Sequence, residues 1–191
     1  PRDVRPDVQA LSLGINGIAA TDVPGDPRSN AGDVFAPALH LERPVDAGNV
    51  AGIARFTITH AKAPVPDARA FLCRHHTPEL LWVKSWMQHA NGARSIAEVR
   101  VPTAYAAGFR SILDAVFDVP ATQDGQPYRT RDAVVRIEAA GRPGSLTIVT
   151  DDLAAAVAVF RKAGLTHEVA GEEVRLALPE GYRSELVFRQ R

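Results

Sequence analysis

Apolar and polar positions along this chain alternate between two periods. In Ser145-Leu146-Thr147-Ile148-Val149-Thr150 the pattern has period two, as expected of a strand with one buried face. After Thr150 the spacing turns helical. Leu153, Val157 and Phe160 fall on one stripe, Asp151 stands at the capping position and Gly164 lies just past the end. The same switch occurs earlier, where a strand over 96–101 precedes a helix from about Thr103 that carries Tyr105, Phe109, Ile112 and Val116 at i, i+4, i+7 spacing. Ser12-Leu13-Gly14-Ile15 reads as a third, degraded copy within a strand over 9–15. The helix expected after it is short or absent, because Thr21-Asp22-Val23-Pro24-Gly25-Asp26-Pro27 holds two prolines and a glycine.

Further strands are predicted at 38–41, 52–59, 70–74, 133–139, 166–169, 173–178 and 184–188. Asp124-Gly125, Gly171, Pro179 and Gly181 mark intervening turns. The result is a repeat of about 50 residues in which a strand, a helix and more strands form one unit that packs against its neighbours. Thr77-Pro78-Glu79 is a helix-start signal, since Thr caps, Pro suits the first helical position and an acid favours the positive dipole end. It predicts a helix over 78–89 closed by Asn91-Gly92. Trp82 and Trp86 lie four apart on one face of it, with His89 three further on. Such a stripe reads either as core or as the aromatic wall of a pocket. The expected organisation is a module over 9–76 with an eroded helix, a linker helix over 77–93, a second module over 94–141 and a third over 142–191.

Composition narrows the function classes. The 191 residues suffice for one generous domain or two small ones. Basic and acidic residues balance at 22 each, so no net field recruits nucleic acid or an anionic membrane, and neither partner is expected. No apolar run approaches 18 residues, the N-terminus lacks a signal-peptide layout, and the single cysteine, Cys73, fits a reducing compartment. A cytoplasmic protein is expected. No phosphate loop, serine-nucleophile elbow or zinc-type Cys/His spacing is present.

The stretch Phe71-Leu72-Cys73-Arg74-His75-His76-Thr77-Pro78-Glu79-Leu80-Leu81-Trp82, followed by His89-Ala90-Asn91-Gly92-Ala93, resembles glyoxalase-like proteins of the vicinal oxygen chelate superfamily, which also holds bleomycin-resistance proteins and dioxygenases. Leu176-Ala177-Leu178-Pro179-Glu180-Gly181-Tyr182 with Glu185-Leu186-Val187-Phe188 looks like the last two strands of such a protein. The resemblance implies an α+β fold of repeated βαβββ modules whose curved mixed sheets form a cup. In metal-using members a His on a first strand and a Glu on a last strand hold a divalent ion such as Mn, Zn, Fe or Ni, which chelates two substrate oxygens. Here the first-strand positions hold Ser12 or Leu13, Ile96 to Glu98, and Ser145 or Leu146, none of them His. Either the metal half belongs to a segment before Pro1 or this chain has no such site. The activity implied is isomerase, lyase or dioxygenase chemistry on a small oxygenated or carbonyl compound, or metal-free sequestration of that ligand.

The candidate residues follow from this frame. Glu185 takes the last-strand ligand position and, with His76, is the candidate catalytic group; a solvent-facing residue beside Arg189 is the alternative for Glu185. His89, Asn91, Trp82, Trp86 and Arg100 are candidate substrate-binding residues, with Glu98 and Arg100 on one strand face as either ligand and anion clamp or a surface ion pair. His76 and His89 sit at opposite ends of the predicted helix, roughly 18 Å apart at 1.5 Å per residue, so they cannot share one ion. Cys73 reads as a small buried hydrophobe. An odd number of modules leaves one sheet without an intramolecular partner, so a homodimer is expected.

Overall fold

The computed structural model describes residues 11–16, 34–63, 65–66, 68–117, 125–129, 133–178 and 184–191. The predicted turns at Thr21–Pro27, Asp124, Pro179 and Gly181, and the start of the first strand at Gln9, fall outside these residues. The chain is mixed α and β, with two α-helices and eleven strands among the described residues. Backbone packing divides it into two compact units. One comprises Ala10–Val83 and Tyr105–Asp124, and the other Pro1–Gln9, Lys84–Ala104 and Gly125–Arg191.

The first of these units is built on a four-stranded sheet of β1 (Leu11–Asn16), β2 (Leu39–Ala47), β3 (Val50–His60) and β4 (Ala68–His75), in the order β1-β4-β3-β2. β1 and β4 run parallel, and the other neighbours are antiparallel. α1 (Ala106–Phe117) belongs to this unit and packs against β4. Its predicted stripe is buried at Phe109, Ile112 and Val116, with Leu113 added, whereas Tyr105 precedes the helix and is exposed. Register places Leu39, Ile58 and Cys73 on one rung and Leu41, Phe56 and His75 on the next. Residues opposite one another share a face, and here Phe56, Ile58, Cys73 and His75 are half-buried while the two β2 leucines are exposed. Leu39 is 53% exposed and Leu41 41%.

The other unit carries a seven-stranded, unclosed sheet. It contains β5 (Ala93–Thr103), β6 (Tyr128–Arg129), β7 (Val134–Ala139), β8 (Gly144–Thr150), β9 (His167–Ala170), β10 (Glu173–Ala177) and β11 (Ser184–Gln190), in the order β6-β7-β5-β8-β11-β10-β9. The run β8-β11-β10-β9 repeats the order and sense of β1-β4-β3-β2, its first and last strands being parallel. β5 joins it along the outer edge of β8 in antiparallel register. The Ala-rich α2 (Leu153–Lys162) covers one face, where Ala156, Phe160, Val174, Leu176 and Phe188 form a buried cluster. Phe160 and Phe188 meet edge to face with centroids 4.9 Å apart. Truncating Phe160 to Ala should cost about 3–5 kcal/mol.

Two local expectations are corrected. The predicted linker helix is a single 3-10 turn, Pro78–Leu80, followed by turns. Thr77 makes no capping bond; its hydroxyl accepts from the Arg55 backbone N–H at 2.8 Å instead. No apolar face is buried that would hold a short helix together, because Trp82 is 55% exposed, Trp86 41% and Met87 44%. The core reading of the two tryptophans is thereby overturned. The cap of α2 is Asp152, whose carboxylate accepts from the Ala155 N–H at 2.9 Å. Asp151 pairs with Arg94.

Candidate functional site

The face of the seven-stranded sheet opposite α2 is polar because each strand sends every second residue to it. Register aligns Glu98 and Arg100 of β5 with Thr147 and Ser145 of β8, and these with Val187 and Glu185 of β11. Arg175 of β10 lies opposite Val187, and Arg136 of β7 lies beside Arg100. On this face is a cavity of about 180 Å³ lined by Arg100, Glu138, Arg142, Ser145, Thr147 and Arg175, with Glu173, Glu185 and Val187.

Charge is matched unevenly across the face. Glu98 accepts from the Arg100 and Arg136 Nε–H groups at 2.5 and 2.8 Å, separating two guanidiniums that parallel register sets side by side. Burial pushes the Glu98 carboxyl up, but its hydrogen bonds to Arg136 and Arg100 outweigh this and hold it below the usual carboxylate range. The bond to Glu98 raises Arg100 above its ordinary value. Around the cavity the pairs are longer. Arg175 lies 3.5 Å from both Glu173 and Glu185, and Arg100 lies 3.9 Å from Glu138. Arg142 has no carboxylate partner among the described residues. Ser145 and Thr147 are 5% and 7% exposed and line the cavity.

The structure brings Glu185 and Arg100 onto this one face. Asn91, in the same unit, uses its side-chain oxygen to accept from the Ala93 N–H at 3.2 Å, while its backbone carbonyl accepts from the Thr150 hydroxyl at 2.9 Å. His89 and Trp86 also belong to this unit and are exposed. His76 and Trp82 belong to the other unit. There Nε2 of His76 lies 2.7 Å from the Thr57 hydroxyl, which Nδ1 of His40 also approaches at 3.0 Å. Trp82 stands edge-on to His75 at 6.4 Å. Cys73 is half-buried rather than buried, its Sγ lies 3.6 Å from Nε2 of His75, and burial pushes its thiol up. Sequence reasoning missed Arg136, Glu138, Arg142, Ser145, Thr147, Glu173 and Arg175. The signal was the recurrence of polar i, i+2 pairs on successive strands.

A divalent ion at Glu185 would need further imidazole or carboxylate donors close by. Its register neighbours are Ser145 and Ala177, and its nearest charged partner is the Arg175 guanidinium. No group of three or more His, Cys, Asp or Glu side chains placed to hold a metal occurs among the described residues. The donors around Glu185 therefore do not fit such an ion.

The chain matches no family model and no curated protein. Among solved structures it is similar to a hypothetical protein from Staphylococcus aureus, with 14% sequence identity and a TM-score of 0.58 over 96% of this chain. The likeness is one of fold. This chain spans 66% of that protein's length.

Proposed function

We propose that this chain is a glyoxalase-like protein of the vicinal oxygen chelate superfamily, built from βαβββ-type modules, that holds a small oxygenated or carbonyl compound in the cup on the polar face of its seven-stranded sheet. The repeated strand order, β1-β4-β3-β2 and β8-β11-β10-β9, supports the modular reading. The observation that carries the binding role is the cavity itself, lined by Ser145 and Thr147 with arginines around it. Of the two activities the resemblance implies, metal-free sequestration accords better with the Glu185–Arg175 pair than metal-assisted turnover does.

The test is an amide-shift titration of the purified protein with small carbonyl and hydroxylated compounds, run with chelator and again with added Mn²⁺, Zn²⁺, Fe²⁺ or Ni²⁺. Saturable shifts at Ser145, Thr147 and Glu185 that persist in chelator are expected. Shifts that appear only after metal addition return the site to the metal-dependent reading, and no shift under either condition removes the cup as a site.

A second reading, self-association, rests on a different observation. Among the described residues β1 stands at the edge of its sheet, whereas β8, its counterpart in the other sheet, is flanked on that side by β5. We propose that a second copy of this chain fills the edge of β1.

A further inference from the structure

We propose that His40, Thr57 and His76, on the four-stranded sheet, form a binding site for one imidazole-seeking divalent transition-metal ion of the Ni²⁺, Cu²⁺ and Zn²⁺ class. All three belong to the unit that does not carry the cup, so the site stands independently of the cup reading. Three stretches of chain bring the side chains together. His40 of β2 lies opposite Thr57 of β3 in antiparallel register, and residues so paired share a face. His76 directly follows β4, where the chain is held to β3 on both sides of it. The His76 N–H donates to the Arg55 carbonyl, and the Thr77 hydroxyl accepts from the Arg55 N–H, each at 2.8 Å. Nδ1 of His40 and Nε2 of His76 then lie 3.0 and 2.7 Å from a single atom, the Thr57 hydroxyl oxygen.

A hydroxyl has one proton to give, so at most one of the two ring nitrogens accepts from Thr57 and hydrogen bonding cannot use both lone pairs at once. A metal ion can. Neutral imidazole binds it through one nitrogen while the other carries the proton, and both histidines are exposed, which leaves each ring free to take that tautomer. The nitrogen-to-oxygen separations match the roughly 3 Å between neighbouring donors around an ion with bonds of about 2.1 Å. Thr57 is 8% exposed and forms the floor of the site, and water fills the remaining positions on the open side. Carboxylates add nothing here. Glu42, two residues from His40, is bonded to Arg55 at 2.8 Å, and the residue opposite Thr57 on β4 is Arg74. Neutral nitrogen donors beside a cation select by ligand type rather than by charge, so imidazole-binding ions should enter while the oxygen-seeking Mg²⁺ and Ca²⁺ should not.

The probe is Ni²⁺ alone, titrated calorimetrically into the full chain, with Mg²⁺ as the contrast and the binding position read from paramagnetic broadening of amide signals. One Ni²⁺ should bind per chain with an affinity on the order of micromolar, broadening residues 40, 57 and 76 first, and acid should release it because protonated imidazole has no lone pair to offer. His40→Asn and His76→Asn should each weaken binding by about tenfold or more, since the remaining imidazole loses its intramolecular partner. His60→Asn, at an exposed histidine on the opposite face of β3, should leave it unchanged. Circular dichroism checks that the variants fold. Absence of saturable uptake, broadening centred on any other histidine, or His40→Asn and His76→Asn binding like the wild type would each overturn the site, and the first two need no variant at all.

Discussion

Thr150 donates its buried hydroxyl to the Asn91 carbonyl at 2.9 Å, tying the chain ahead of β5 to the end of β8. The tie leaves no room for a side chain at the next residue. Gly92 has φ of +68°, and a Cβ there would lie 2.7 Å from the Thr150 hydroxyl oxygen. Gly92→Ala should therefore lower stability by about 1–3 kcal/mol, from the left-handed backbone and the clash together. Thermal unfolding of the variant checks this. An unchanged midpoint would mean that the Asn91–Thr150 contact yields without cost.

Glu98 predicts a pH effect of definite sign. Its carboxyl titrates below the usual range in the folded protein, so the folded state binds fewer protons than the unfolded chain. The stability this supplies is fully present above the unfolded carboxylate value and is lost as pH falls through the folded one. Protonation also releases Arg100 and Arg136 to repel each other. Glu98→Gln should flatten the acid limb of a stability–pH curve and cost about 1 kcal/mol at neutral pH, a modest figure because the partner arginines are partly exposed. Urea unfolding across the acid range measures both, and parallel acid limbs would contradict the assignment.

The cap of α2 separates two adjacent aspartates. Asp152 accepts the Ala155 N–H, whereas Asp151 makes a surface ion pair with Arg94. Asp152→Ala should cost about 1 kcal/mol, and Asp151→Ala roughly half that or less. Equal losses in thermal denaturation would mean that the cap is shared.

What the sequence made legible follows from which forces are local. Period-two alternation located the strands, and the mixed α and β class followed from it. The stripe of Phe109, Ile112 and Val116 was readable because helical spacing alone defines it. The helix expected after Thr77 failed for a nonlocal reason, since the Arg55 N–H from β3 takes the hydroxyl that would have capped it. The site was legible only in part. Arg100 and Glu185 were named from their own strands, but Arg142, Arg175, Ser145 and Thr147 join them through the pairing of β5 with β8, β8 with β11 and β11 with β10. Register between distant segments is not written in any one of them.

The proposed self-association compares the described edges of the two sheets. An exposed edge strand presents unpaired N–H and C=O groups that another chain can bond, and within this chain β5 does so for β8. The same antiparallel addition at β1 by the β1 of a second copy is isologous and closes a two-fold dimer. Sedimentation equilibrium should give a dimer, and the amides of residues 11–16 should gain protection from hydrogen exchange as concentration rises. A wild-type monomer whose β1 amides exchange freely at every concentration would rule out this interface.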